Sequence, residues 1–284
     1  MRISAVTRVC CLIGDPVEHS LSPAMHNAAF KALGLDLVYL AFRVRGQELR
    51  RAVEGIRSLG IVGANVTIPH KVAVVRLVDS LSPAAEAIGA VNTILNDGGR
   101  LIGYNTDAEG AIAALEGRID PRGKSAVVLG AGGAARAIAF CLARRCERVT
   151  ILNRTGKRAV ELARSLSGLR ASLSGMPLTR RRLREALHDA DILINATPVG
   201  MAPDVDGTLV PSDLLRPDLV VFDIVYNPPR TRLLREAEAV GAVTVSGLEM
   251  LVRQGAMAFS IWTGREAPLD VMRRAALAEL GGHG

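Results

Sequence analysis

Aromatic side chains make up 3% of this 284-residue chain, with one Trp among them, and that scarcity removes the stacking platforms on which single-stranded nucleic acid is held. The four cysteines, Cys10, Cys11, Cys141 and Cys146, show neither C-x-x-C pairing nor nearby His spacing, so no metal site is expected and buried reduced thiols are the simpler account. No apolar run reaches the roughly 18 residues that span a bilayer, and no signal peptide precedes the first strand, which predicts a soluble, cytoplasmic protein with no membrane partner. Internal repeats and low-complexity segments are also missing. What is present is an ordinary globular composition, 49% hydrophobic and 22% charged, with a net charge of +7. The basic residues are scattered apart from Arg180-Arg181-Arg182, which reads as a solvated helix face. The excess charge is therefore assigned to solubility and to phosphate or carboxylate ligands, and no nucleic acid is expected.

Strand and helix alternate along the first hundred residues. Apolar Val9 to Ile13, a helix from Pro23 to Leu33, extended Leu37 to Phe42, a helix from Gln47 to Ser58, Gly63 to Val66 and a helical stretch after Pro69 imply an α/β fold with a mostly parallel sheet. Ala90 to Leu95 and Arg100 to Tyr104, joined by Asp97-Gly98-Gly99, read as a hairpin. A second sheet follows, filled by Ala126 to Leu129, Arg148 to Leu152, Leu169 to Leu173, Ile192 to Ile194, Leu219 to Ile224 and Val243 to Val245. The two halves read as an N-terminal α/β substrate domain, residues 1–106 with 246–284, and a doubly wound Rossmann-type domain, residues 107–245. The C-terminal helices return to the first.

The apolar run Ala126 to Leu129 ends at Gly130-Ala131-Gly132-Gly133-Ala134 and opens an Ala-rich helix. Strand, glycine turn and helix in that order suit a pyrophosphate, because the turn lets the backbone approach it and the helix N-terminus faces it. About twenty residues on, where such folds read the adenosine ribose, stand Asn153, Arg154 and Thr155, with Lys157 and Arg158 behind. An acidic residue there would accept from a free 2′-hydroxyl, whereas these positive charges suit a 2′-phosphate. The expected cofactor is NADP(H).

Three polar clusters fall where strands of the first half end: Glu18 to Pro23, Asn65 to Lys71, and Asn105-Thr106-Asp107. Ser20 and Ser22 can donate to a carboxylate, and Ser22 can equally be the N-cap before Pro23. Thr106 or Asp107 can cap the next helix, and Lys71 can be an ordinary surface lysine.

The series Ser20-Leu-Ser22-Pro23, Asn65-Val-Thr67-Ile-Pro-His-Lys71, Gly89-Ala-Val-Asn92-Thr93, Gly103-Tyr-Asn105-Thr-Asp107, Gly130 to Ala134, Asn153-Arg-Thr155, Asn195-Ala-Thr-Pro198, Asp223-Ile-Val-Tyr226-Asn-Pro228 and Gly247 to Gln254 resembles the shikimate dehydrogenase family, in order and over nearly the whole chain. The resemblance implies reversible, NADPH-dependent reduction of 3-dehydroshikimate to shikimate, on the way to chorismate and the aromatic amino acids. It implies Lys71 and Asp107 as the catalytic pair, and Ser20, Ser22, Asn65, Thr67, Asn92, Tyr226 and Gln254 as substrate contacts. Gly130, Ala131, Gly132, Gly133, Ala134, Asn153, Arg154, Thr155, Arg158, Ile224 and Gly247 are implied cofactor contacts. The family often has Met where this chain has Ile224, a similar apolar surface. Whether Lys71 gives a proton or acts as a fixed cation stays open, as does monomer against homodimer. A relative acting on quinate or an aminoshikimate shares these motifs, although Asn153 and Arg154 argue against an NAD-linked quinate enzyme. A non-catalytic NADP-binding regulator has no reason to keep Lys71 and Asp107 together with Ser20 and Ser22.

Overall fold

In β1 (Arg8–Gly14) the run Cys10 to Ile13 is buried at every position, so both faces of the strand are covered, as in the middle of a parallel sheet. The computed structural model describes residues 3–281 and falls into two compact units, one reaching to Asp107 and resuming at Val252, the other Ala108–Leu251. In the first, α1 (Ser22–Ala32) presents Ser22, Met25, His26, Ala29 and Phe30 inward at helical spacing, with Pro23 in its opening turn. The edge strand β2 (Leu37–Arg43) buries Leu37 and Tyr39 and leaves Leu40 and Phe42 partly exposed, the alternation of a strand with one covered face. α2 (Leu49–Ser58) buries Leu49, Val53 and Ile56. β3 (Gly63–Val66) is wholly buried. After β4 (Ser80–Leu81), Ser82 caps α3 (Pro83–Ile88) by accepting the Ala85 N–H at 3.2 Å, and Gly89 ends it at a positive φ of 69°.

β5 (Thr93–Asp97) and β6 (Arg100–Tyr104) complete a six-stranded sheet of order β2-β1-β3-β5-β6-β4. β2, β1 and β3 run parallel, while β5 is antiparallel to both β3 and β6, so the sheet is mixed beyond its parallel core. β5 starts three residues later than its apolar run suggests. The Ala90 carbonyl is taken by the Asn105 amide and the Val91 N–H by the Lys71 carbonyl, so these two residues tie loops together, and only from Asn92, bonded to Val66 and Tyr104, does the backbone approach the ladder. The stretch after Pro69 forms only a short 3-10 turn, Ala73–Arg76.

The second unit contains α4 (Asp107–Glu116), whose first residue belongs to the other unit, then β7 (Ser125–Leu129), α5 (Gly133–Ala143), β8 (Arg148–Asn153), α6 (Gly156–Ser165), β9 (Ser172–Pro177), α7 (Arg180–His188), β10 (Ile192–Asn195), β11 (Val220–Asp223), α8 (Arg232–Ala239) and β12 (Val243–Ser246). All six strands run parallel in the order β12-β11-β10-β7-β8-β9. This is a doubly wound sheet whose order reverses between β7 and β10, the place where such sheets bind ligands. Val127, Leu129, Leu152, Leu193 and Val221 form its core with Leu183, Leu187 and Leu233 from the helices. The third strand lies at Ser172–Pro177, not at Leu169 to Leu173. As an edge strand it tolerates Gly and Pro, and Gly175 lets the α6 backbone sit against it, since a Cβ there would lie 2.2 Å from the Ala159 carbonyl oxygen. α9 (Gly247–Thr263) spans the division between the units, and α10 (Leu269–Gly281) packs on α1 within the first.

Candidate active site

The loops after β1 and β3 lie side by side because their strands pair. The Asp15 N–H donates to the Ile68 carbonyl at 2.9 Å, and Gly14 has no room for a side chain, whose Cβ would meet Thr67 Cγ2 at 2.2 Å. The first loop carries Ser20 and Ser22, and the second carries Thr67 and Lys71. Ser22 is the first residue of α1, and no side chain caps that helix; instead Ser20 Oγ accepts the Ser22 N–H at 3.3 Å. Ser22 is therefore not the N-cap of α1, while Ser20 Oγ satisfies one N–H of its first turn and keeps its own proton to donate. The turn after β3 is pinned by His70, buried, with its Nε2 2.6 Å from the Val44 carbonyl, and by the Val91 N–H donating to the Lys71 carbonyl at 2.8 Å.

Held in this way, Lys71 Nζ donates to Asp107 Oδ2 at 2.6 Å, with 14% of the lysine side chain and 6% of the aspartate side chain exposed. The other carboxylate oxygen, Oδ1, accepts from Asn92 Nδ2 at 3.0 Å. The same Nδ2 lies 3.0 Å from Thr106 Oγ1 and 3.2 Å from Gln254 Oε1. Asn92 Oδ1 accepts the Thr106 N–H at 2.7 Å. Asp107 begins α4, but its carboxylate is engaged with Lys71 and Asn92. Buried charge of this kind persists only when paired and hydrogen-bonded, and here every carboxylate oxygen has a donor. One cluster therefore brings together Lys71, Asn92, Asp107 and Gln254. Asn65 is buried beside it, its amide donating to the Asn92 carbonyl at 3.2 Å and to Thr93 Oγ1 at 3.1 Å.

In the second unit Gly130 takes φ +114°, and a Cβ there would sit 2.8 Å from the Ala196 carbonyl oxygen, so turn and packing both require glycine. Gly132 is different. Its backbone is extended and a Cβ would meet no protein atom within 4 Å, so packing of the chain gives no reason for glycine there. It precedes α5 without a side-chain cap, leaving the N–H groups of the first turn open to an anion. At the end of β8, Asn153 Nδ2 donates to the Thr155 carbonyl at 3.0 Å. Arg154 and Arg158 are exposed and, among the described residues, make no ion pair, whereas Lys157 lies 3.9 Å from Glu161. A bare backbone beside a helix N-terminus, with unpaired arginines one strand away, fits a pyrophosphate and a 2′-phosphate. After β11, a Cβ at Gly247 would lie 2.2 Å from the Ile224 carbonyl oxygen, which presses the start of α9 onto the loop bearing Ile224 and Tyr226. Among the described residues no cluster of three or more His, Cys, Asp or Glu side chains could hold a metal ion.

Three family models match successive parts of the chain: "Shikimate dehydrogenase substrate binding domain" at residues 12–94, "Shikimate / quinate 5-dehydrogenase" at 114–226 and "Shikimate 5'-dehydrogenase C-terminal domain" at 247–277. The shikimate dehydrogenase (NADP(+)) of Methanopyrus kandleri is 55% identical over 285 residues, covering 98% of both chains. The chain belongs to the shikimate dehydrogenase family. A shikimate dehydrogenase solved in complex with NADP+ superposes with a TM-score of 0.91 at 47% identity, covering 98% of each chain. The Thermus thermophilus family member, solved with NADP(H) and shikimate, gives 0.86 at 42% identity, covering 96% of this chain and 99% of that one.

Some polar residues that build the site carry no site role in the sequence analysis. Thr93 and Thr106 both hydrogen-bond to the Asn92 side chain, and Tyr39, far away in sequence, donates to Asn65. A buried tyrosine needs a partner for its hydroxyl, and Tyr39 stands as the one polar side chain in the apolar run Leu37 to Phe42. That signal says a partner exists without saying which. In the second unit Asp223 is another such residue. Fully buried, it accepts from Thr231 Oγ1 at 2.7 Å, Asn195 Nδ2 at 2.9 Å and the Val225 N–H at 3.1 Å, and burial pushes its carboxyl up to about 6. Asn195 and Asp223 are neighbours in the parallel register, so this one contact ties the ends of β10 and β11 together.

Proposed function

We propose that the protein is an NADP-dependent shikimate dehydrogenase that interconverts 3-dehydroshikimate and shikimate, with Lys71 and Asp107 as its catalytic pair. The observation that carries this reading is the lysine–aspartate contact of 2.6 Å, with Asn92 on the second carboxylate oxygen. Substrate is assigned to residues 1–106 and 246–284 and cofactor to 107–245, in a cytoplasmic enzyme that is a monomer or homodimer. The family model that joins shikimate and quinate leaves quinate as the rival substrate.

Gly130 to Ala134, Asn153, Arg154, Thr155, Arg158, Ile224 and Gly247 would hold the cofactor, which would supply the hydride. The residues of the chain do the rest. Ser20 and Ser22 donate hydroxyl bonds to the substrate carboxylate, while Thr67, Asn92, Tyr226 and Gln254 hold the ring hydroxyls, and Asn65 supports Asn92 from below. Lys71 keeps its ammonium beside the carbonyl oxygen, where negative charge develops, and delivers a proton to it; in the reverse direction it takes that proton back. Asp107 fixes the lysine through Oδ2 and is itself prevented from turning by the Asn92 N–H on Oδ1. A positioned proton donor of this kind is worth roughly 10² to 10⁴ in rate.

Steady-state assays with shikimate and quinate, each with NADP and NAD, test the assignment, and shikimate with NADP should give the highest kcat/KM. Lys71→Met should lower kcat by roughly a hundredfold to ten-thousandfold and leave KM for shikimate within a few-fold. A near-native kcat in that variant would remove Lys71 from the chemistry.

A further inference from the structure

The hydrogen bonds behind Asp107 have directions that can be worked out, because several members can only donate or only accept. The Asn92 carbonyl of the main chain can only accept, so the group of Asn65 facing it at 3.2 Å is the Nδ2 amide. Asn65 Oδ1 must then face Tyr39, and the Tyr39 hydroxyl must donate to it, at 2.7 Å. The second Asn65 N–H goes to Thr93 Oγ1 at 3.1 Å, whose own proton is within reach of Asn92 Oδ1 at 3.2 Å. The Thr106 N–H can only donate, and it takes the same Asn92 Oδ1 at 2.7 Å, so the Asn92 Nδ2 group is turned toward Asp107 Oδ1. Tyr39, Asn65, Thr93, Asn92, Thr106 and Asp107 are all buried, which leaves little room for water to substitute for any of them.

The ring of Tyr39 is fixed independently of its hydroxyl. His26 stacks on it with centroids 4.5 Å apart and planes 10° from parallel, and Trp262 stands at 6.0 Å. The hydroxyl is therefore delivered to Asn65 by aromatic packing between β2, α1 and α9, away from the loops that bear the reacting groups.

We propose that Tyr39 is a positioning residue for the reaction: its hydroxyl anchors the far end of a relay through Asn65, Thr93 and Asn92 that orients the Asp107 carboxylate and, through it, Lys71. This rests on Lys71 and Asp107 being the catalytic pair. Without the hydroxyl, Asn65 Oδ1 is a buried acceptor with no donor, and the amide is held from its Nδ2 side alone, by the Asn92 carbonyl and Thr93 Oγ1. The Asn65 N–H to Thr93 is then less well aligned, and Asn92 is held less firmly against Asp107. The Ser22 side chain also reaches the Tyr39 oxygen, so loss of the hydroxyl changes substrate affinity by a second route, and kcat is the quantity that decides.

Tyr39→Phe keeps the stacked ring and should lower kcat for shikimate about tenfold, short of the roughly hundredfold or more expected on removing Lys71 itself, because the pair is displaced and not removed. The decisive measurement repeats the substitution in an Asp107→Asn background, where it should change kcat by less than twofold because its effect passes through Asp107. A kcat for Tyr39→Phe within twofold of the parent, or an undiminished tenfold loss in the Asp107→Asn background, overturns the relay. If Asp107→Asn alone leaves kcat intact, the catalytic pair is wrong instead, and the relay falls with it. Should Tyr39→Phe fail to fold, Thr93→Val and Thr93→Ser replace it. The valine variant should reproduce the loss and the serine variant restore most of the rate, and equal rates in the two overturn the proposal.

Discussion

At the scale of single residues, Asp223 makes the least expected use of a carboxylate. Three donors favour its charge, yet burial dominates and its carboxyl lies near 6, above the ordinary 3.8. Between about pH 4 and pH 6 the folded protein keeps a proton that the unfolded chain has released. Stability attributable to Asp223 therefore falls as pH rises through that window and is level above it, by at most about 3 kcal/mol. Aspartates such as Asp79 and Asp120, held low by arginine contacts, have the opposite slope and lose stability as pH falls, so the single-site effect must be taken as a difference. Urea unfolding of the parent and of Asp223→Asn from pH 4 to pH 8 should show parent minus variant declining toward pH 6. A flat difference would show that Asp223 does not keep its proton. Asp223 was visible in the sequence only as part of a motif, because what shifts it is enclosure by strands whose neighbours lie far away along the chain. Lys71 and Asp107 likewise stood out only through the family's motifs, because by themselves a lysine in a loop and an aspartate opening a helix have ordinary surface and capping explanations. Tyr39 and Thr93 were not legible, since strand periodicity gives a face without a partner.

Among the elements, the glycine turns separate two demands that look alike in sequence. Gly247 is required by the protein itself, since a Cβ would strike the Ile224 and Val225 carbonyl oxygens at 2.2 and 2.7 Å. Gly132 meets no protein atom, and the proposed reason for it is the ligand. Gly132→Ala should therefore cost the fold no more than about 1 kcal/mol while raising KM for NADP severalfold, whereas Gly247→Ala should destabilise by roughly 1 to 3 kcal/mol as the loop of Ile224 and Tyr226 is displaced. Thermal unfolding beside NADP titration separates the two, and a Gly132→Ala enzyme with unchanged NADP affinity would remove the turn from the cofactor site. Most strands could be read because buried parallel strands are apolar throughout. β9 was misplaced for the same reason: Ser172 to Pro177 is a polar edge strand, and the more apolar Leu169 to Leu173 drew the assignment.

For the whole molecule, each compact unit has its own sheet and its own hydrophobic cluster, and each proposed ligand stabilises the fold by mass action. A ligand at one hundred times its Kd adds about 2.7 kcal/mol. Arg154 is exposed and unpaired among the described residues, so Arg154→Ala should leave the unliganded Tm unchanged. Its loss should weaken NADP by roughly 1.5 to 3 kcal/mol, abolishing most of the NADP-induced rise in Tm while the rise with shikimate persists. Equal loss of both shifts would refute the 2′-phosphate contact. The fold class was legible from the alternation of elements and the β5–β6 hairpin from its Asp97-Gly98-Gly99 turn, but the antiparallel pairing of β5 with β3 was not, because pairing direction between distant strands depends on which strands meet and not on their composition.

The four thiols described as buried also bear on how such shifts can be followed. All are free, burial raises Cys10 and pushes Cys11 and Cys146 up to about 12 and Cys141 to about 11, so at neutral pH none offers a thiolate to a reagent. A single cysteine introduced on an exposed helix face should therefore take up a fluorophore or spin label well ahead of the four enclosed natural thiols.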